Sequence, residues 1–291
     1  MTAAPLVAIL TPDPAEPSYA RRWRASFDRY ARALAAAGAR VRPIPWTEAP
    51  APDADLHLGL LAWGYHLAPN LWRDRLTSWP ASARLLNSPA VLGWNTDKRY
   101  LLELERAGVA TVPTRFVGVA DAAAVAEAVA AFDTDDLVVK PQVSAGAHAT
   151  ARLRARDANG AGAGGPIGPA MLQPFLPAVQ AEGELSLLVF GGTPAYAVAK
   201  RAAAGDFRVQ VQHGGLYATT PITEEMRVLA ASALAACPQA PAYARVDMVR
   251  DAHGDLRLME LELIEPDLYL DHAPDGGAAF AAAVMAALTA P

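Results

Sequence analysis

Three acids near the C-terminus carry the first chemical signal: Asp247 in Tyr-Ala-Arg-Val-Asp247-Met-Val, then Glu260 and Glu262 in Leu-Met-Glu-Leu-Glu-Leu-Ile-Glu265-Pro. Two apolar, strand-like runs flank Asp251-Ala-His-Gly-Asp255, a pattern that predicts a hairpin. Alternate side chains of a strand share a face, so Glu260 and Glu262 point the same way. A turn centred between His253 and Gly254 sets Asp247 opposite Glu260 and Arg245 opposite Glu262. Three carboxylates on one face repel unless a cation neutralises them. Hard oxygen donors with no His or Cys beside them suit Mg²⁺ or Mn²⁺ rather than zinc. The competing reading is an edge hairpin whose acids face water.

Basic groups occur in three further places. Thr96-Asp97-Lys98-Arg99 reads as the start of a helix with Thr96 as N-cap. A lysine in a first turn opposes the helix dipole and makes sense where a bound anion shares the site. Lys140 ends the apolar run Leu137-Val-Val-Lys140-Pro141, where a charged strand tip is aimed at a cleft. The loop after it, Val143 to Thr150, holds Ser144 and Gly146 among small residues whose backbone N–H groups can cradle phosphate. Lys200-Arg201 and Gly205-Asp-Phe-Arg208-Val-Gln210 form the third cluster, with Arg208 suited to bidentate recognition of an oxyanion. Basic groups for a polyphosphate, acids for metals and a small-residue cover together describe a phosphoryl-transfer site. Arg208 and Lys200 are the catalytic candidates. His66, His213 and His272 are secondary candidates for proton transfer, with a structural role as the plainer reading.

The elements that must position these groups alternate between strand and helix at first. Strands are expected at 6–10, 39–43, 55–61 and 84–87, with helices at 18–37 and 70–79, which describes a small parallel α/β unit. Trp23, Phe27, Tyr30 and Leu34 form one stripe of the first helix, and Gly38 stops it. A second unit has helices at 96–107 and 122–131 and strands at 112–117 and 136–140. Strands then dominate, at 171–176, 185–190, 195–200, 207–212 and in the hairpin, with helices at 223–236 and 278–288. Domain boundaries are expected at 1–88, 89–171 and 172–291. Gly160-Ala-Gly162-Ala-Gly-Gly165 matches a dinucleotide fingerprint formally, but Pro166 and Pro169 follow where a helix must begin, so it reads as a connection. Neither a Walker loop nor a GxSxG elbow is present.

Bulk properties narrow the class. The 291 residues are 53% hydrophobic and 19% charged, which suits a globular chain with a sizeable core. No apolar run is long enough to cross a membrane, and the first residues lack the pattern of a signal peptide. One cysteine, Cys237, fits a reducing cytoplasm. A net charge of −5 without a basic tract argues against nucleic acid as a partner. A homo-oligomer is left open.

The order of these motifs resembles the ATP-grasp superfamily, in its glutathione-synthetase-like branch, from Asn87 to Pro266. The resemblance implies an α/β (α+β) ATP-grasp fold preceded by a small parallel α/β domain. It implies that Lys98 and Lys140 hold ATP, that Ser144 and Gly146 lie in the lid over its phosphates, and that Gln173, Phe175 and Leu176 form the hinge that binds adenine. Glu184 stands where the family places a ribose-binding acid. Asp247, Glu260 and Glu262 match the Mg²⁺ ligands, for two ions, with Mn²⁺ able to substitute. Glu262 departs from the more common Asn, and Ser186 stands where glutathione synthetases tend to carry Arg, which speaks against glutathione-type substrates. Within the branch, Trp94-Asn-Thr-Asp-Lys-Arg-Tyr, Glu182-Gly-Glu-Leu-Ser186 and Met-Glu-Leu-Glu-Leu-Ile-Glu-Pro resemble a ring-closing subgroup acting on O-ureido-serine. The implied activity joins a small amino-acid-like carboxylate to an amine through an acyl phosphate. The alternatives are an intermolecular amino-acid or peptide ligase, and a non-catalytic ATP-binding protein. Substrate choice is expected to sit at 64–70, 182–186 and 265–271.

Overall fold

The computed structural model describes residues 3–19, 22–154, 165–201 and 214–289. Strands β1 (Leu6–Thr11), β2 (Arg40–Pro45), β3 (Leu56–Leu58) and β4 (Leu85–Leu86) form a parallel sheet in the order β2-β1-β3-β4. Every residue of β1 is buried, as befits a central parallel strand covered on both faces. Helix α1 (Trp23–Ala36) turns Tyr30, Ala33 and Leu34 into the core. Trp23 and Phe27 meet edge to face at 5.8 Å on its half-buried flank. Gly38, at φ 93°, lets the chain leave this helix and enter β2.

Helices α2 (Pro69–Thr77), α3 (Pro89–Asn95) and α4 (Tyr100–Arg106) follow. The helix expected over 96–107 begins only at Tyr100, and Thr96 is not its N-cap. It closes α3, with its hydroxyl donating to the Leu92 carbonyl (2.8 Å) and accepting from the Trp72 indole (3.0 Å). A hydroxyl taken up by its own preceding turn and a buried tryptophan cannot cap the next helix.

The second sheet is antiparallel, in the order β5-β8-β6-β7, from β5 (Arg115–Val117), β6 (Asp136–Pro141), β7 (Ala151–Arg154) and β8 (Ala170–Pro174). Helix α5 (Ala122–Phe132) covers it, started by the Asp121 carboxylate accepting from the Ala124 N–H at 2.9 Å. Beyond the short α6 (Ala178–Ala181) lies the third sheet, also antiparallel, in the order β11-β10-β9-β12-β13. Its strands are β9 (Glu184–Phe190), β10 (Thr193–Arg201), β11 (Leu216–Thr220), β12 (Tyr243–Arg250) and β13 (Leu256–Glu262), with α7 (Glu224–Ala235) and α8 (Ala278–Thr289) packed on it. Expectation and structure agree on the order of most elements, but α3, α6, β7 and β11 had no counterpart in the sequence reading. The strand expected at 207–212 lies outside the described residues.

Strand β13 is an edge, yet its outer backbone groups are satisfied. The Asn95 amide donates to the Leu261 carbonyl (2.8 Å) and accepts from the Leu263 N–H (3.0 Å). The Tyr100 hydroxyl accepts from the Leu261 N–H (2.9 Å), and Asn87 donates to the carbonyls of Leu263 and Tyr243. Nearer the turn, Leu258 exchanges bonds with Ala110 and Val112. Buried backbone groups left unpaired are costly, and these side chains remove that cost along the strand that carries Glu260 and Glu262.

Candidate active site

The β12–β13 hairpin sets Asp247 opposite Glu260 and Arg245 opposite Glu262, the register expected from the sequence. It reaches that register through a bulge. Next to the turn Arg250 pairs with Leu256 and Met248 with Leu258, centred on His253; Met259 is then the extra residue that brings Asp247 and Glu260 into phase.

Side chains of the protein neutralise the three acids. Asp247, 2% exposed, accepts from Arg245 Nε (3.0 Å) and Nη2 (2.9 Å), from the Ser186 hydroxyl, and lies 3.3 Å from Lys200 Nζ. Burial alone would raise its pKa, but Arg245 and Lys200 outweigh it and hold the carboxyl well below its usual range. Arg245 also donates to Glu262. Lys200 Nζ reaches Glu184 at 2.9 Å, and its ammonium stays charged because Asp247 and Glu184 overcome its burial. Lys98 Nζ binds Glu260 at 2.8 Å and donates to the Ser144 carbonyl at 2.8 Å, which ties the small-residue loop to the acidic strand. Glu260 is held low, since Lys98 and Lys140 outweigh its burial. Burial pushes the Lys140 ammonium down, with Glu260 and Glu184 opposing.

These groups border one cleft of about 850 Å³. Lys98, Lys140, Ser144, Gly146, Gln173, Phe175, Leu176, Glu184, Lys200, Asp247, Glu260 and Glu262 all line it, so the structure brings together every described candidate for the catalytic, nucleotide and metal roles. Arg208 lies outside the described residues, as does His213. The end of β8 is held firmly: Gln173 donates to the Thr114 hydroxyl (2.9 Å), the Phe175 N–H to the Asp136 carbonyl (2.8 Å), and the Arg152 guanidinium stacks 3.4 Å over the Phe175 ring. Of the secondary candidates, His272 lines the cleft, while His66 is buried and does not line it.

Sequence reasoning missed the part Arg245 plays. Its alternation with Asp247 puts both on one face, which was the available signal, but only the packed site shows one guanidinium serving two acids. Ser186, read as a departure from a common Arg, pairs across β9–β12 with Asp247 and donates to it.

The carboxylates suit Mg²⁺ by donor type. The described residues gather no set of three or more His, Cys, Asp or Glu side chains into a ready-made cage.

Comparison with known proteins decides the family. The model for the prokaryotic glutathione synthetase ATP-grasp domain matches residues 111–240. The cycloserine biosynthesis protein DcsG of Streptomyces lavendulae is 33% identical over 223 residues, 69% of this chain and 72% of that protein. The chain is a member of the ATP-grasp ligase family. Its ATP-grasp fold matches the crystal structure of D-cycloserine synthetase DcsG with a TM-score of 0.82 at 25% identity, covering 98% of this chain and 100% of the other. D-alanyl-alanine synthetase A from Vibrio cholerae shares the fold at a TM-score of 0.70 and 11% identity, covering 99% of this chain and 98% of the other. So does the ATP-grasp ligase PsnB, in a complex with a precursor variant, Mg and ADP, at 0.67 and 17%, covering 99% and 100%. ATP-grasp ligases use ATP and Mg²⁺, and no helix among the described residues of this one is long and apolar enough to cross a membrane.

Proposed function

We propose that this ATP-grasp ligase activates the carboxylate of a small amino acid as an acyl phosphate and closes a ring on it, with O-ureido-D-serine as substrate and D-cycloserine as product. The observation that carries the reading is the cleft itself. Asp247, Glu260 and Glu262 line it from one pair of strands, Lys98, Lys140 and the Ser144–Gly146 loop line it as well, and the hinge residues Gln173, Phe175 and Leu176 border the same space. The similarity to DcsG over most of the chain supports the choice of substrate.

In this reading Lys98 and Lys140 hold the phosphates of ATP under the loop of Ser144 and Gly146, and Gln173, Phe175, Leu176 and Glu184 hold its nucleoside. Asp247, Glu260 and Glu262 would hold two Mg²⁺ ions, or Mn²⁺ in their place, which neutralise charge on the transferring phosphoryl group. The substrate carboxylate oxygen attacks the γ-phosphorus and ADP leaves. The internal aminooxy nitrogen then attacks the acyl carbon, and phosphate leaves with the activated oxygen. Mass balance requires the carbamoyl group to depart, with one water, as carbon dioxide and ammonia. Lys200 and Arg208 stabilise charge on the phosphoryl group and on the tetrahedral intermediate. Such an enzyme works in the cytoplasm on a small substrate and needs neither nucleic acid nor membrane; homo-oligomers are compatible with it.

The test is ADP release with Mg-ATP and O-ureido-D-serine alone. Turnover with a cyclic product by mass spectrometry supports the reading. Turnover only when two amino compounds are paired replaces ring closure by intermolecular ligation.

A further inference from the structure

Glu265 stands apart from every other acid in the cleft. It follows β13, three residues beyond Glu262, and lines the cavity together with Tyr19, Trp63 and Tyr65 of the N-terminal unit. Its Oε2 is buried and accepts no hydrogen bond from any described residue. The two cations that act on it are already engaged: Arg245 with Asp247 and Glu262, and Lys98 with Glu260 and the Ser144 carbonyl. A buried carboxyl oxygen without a partner is costly, and a partner that arrives with a ligand accounts for it.

We propose that Glu265 anchors the α-ammonium of the substrate and so restricts this ligase to free amino acids. The proposal rests on the ligase reading above and adds a specificity-determining residue to it. Tyr19 and Trp63, with ring centroids 6.0 Å apart, border the same part of the cavity and offer π faces suited to a cation. Arg22 and Arg29 also line the cavity, so the end beyond the phosphate loop presents both signs of charge, as a zwitterion requires. In an α-amino acid the ammonium and carboxylate share one carbon. A cation seated on Glu265 therefore brings its carboxylate to the end of the cleft where Glu262 sits. An N-acylated amino acid or an internal peptide carboxylate has no cation at that position and leaves the Glu265 carboxyl buried against an amide. Burial, helped by the nearby Glu262, pushes this carboxyl well above its usual range, so an arriving ammonium also draws it into its charged form.

The experiment measures ADP release for O-ureido-D-serine and for a panel of free L- and D-amino acids, each beside its N-acetyl derivative, with the parent protein and Glu265→Gln. The expected result is turnover by free amino compounds only. In the variant, KM for the amino substrate rises about 100-fold, as expected for losing one partner of a buried charge pair, while kcat and KM for ATP change little. The thermal midpoint of Glu265→Gln without substrate should equal or exceed that of the parent, because an unpaired buried acid has been removed. Equal turnover of N-acetyl derivatives overturns the proposal and leaves the ligase reading standing. A fall in kcat at unchanged KM overturns it too, since that is the signature of a proton-transfer role, and a lowered thermal midpoint marks Glu265 as structural. Absence of ADP release with every compound overturns the ligase reading and this proposal with it.

Discussion

Strands β9 and β12, which carry Glu184, Ser186 and Asp247, are buried along nearly their whole length, between a core that includes Leu187, Val246 and Leu258 and another that includes Leu188, Phe190 and Tyr243. The sheet of β5, β8, β6 and β7, which carries Lys140 and Gln173, rests on a much smaller cluster of Val125, Ala128, Leu137, Val139 and Leu172. One wall of the cleft is thus anchored on both faces, and the other is a thin sheet under a single helix. Local stability follows the number of buried apolar contacts. The three acids therefore sit on the deep wall, and the groups we propose to cover a nucleotide sit on the shallow one.

That contrast can be tested, and the largest effect is expected on the deep wall. Asp247→Asn leaves Arg245 and Lys200 without their shared partner, so ADP release should fall by about 10³-fold and stability by about 3–5 kcal/mol, read by kinetics and denaturant titration. Core truncation separates the walls more directly. Leu187→Ala should cost about 2–5 kcal/mol of global stability. Leu172→Ala should show most of its effect as faster hydrogen exchange confined to the second sheet; equal spreading of both effects would erase the distinction. Lys98 joins the two walls through Glu260 and the Ser144 carbonyl. Lys98→Met should raise KM for ATP by about 10–100-fold, the range of a lost charged hydrogen bond, with the secondary structure intact by circular dichroism. The smallest effect concerns acid stability. Asp247 and Glu260 are both held low, so their contribution is fully present above about pH 4.5 and is lost as pH falls toward their folded values. The acid limb of the thermal midpoint against pH should flatten in Asp247→Asn.

The sequence made the deep wall easier to read than the shallow one. Alternation in Arg245, Val246, Asp247 and in Glu260, Leu261, Glu262 states which residues share a face, and the turn residues state the register. The register holds at the acids because the bulge at Met259 offsets a turn centred half a residue earlier than expected, a coincidence that no local pattern reveals. Strand β7 was missed because its four residues, Ala151 to Arg154, are too few to show an alternation, and their pairing with β6 is a tertiary fact. Thr96 was misread as a cap because the partner that claims its hydroxyl, Trp72, lies 24 residues away. The pairing of the acids with Arg245, Lys200 and Lys98 needed three strands and a loop to meet, so charge compensation by a metal alone was the natural expectation from spacing.

The side chains that line the outer edge of β13 have a practical consequence. Asn87, Asn95 and Tyr100 occupy the hydrogen-bonding groups that an exposed edge would offer to a foreign strand, so this edge is a poor template for aggregation. They also fix the strand from its far end. The exposed turn at 251–255 can therefore accept a grafted peptide without sliding Glu260 and Glu262 out of phase, because the position of those acids is decided at Leu261 and Leu263 and not by the length of the loop.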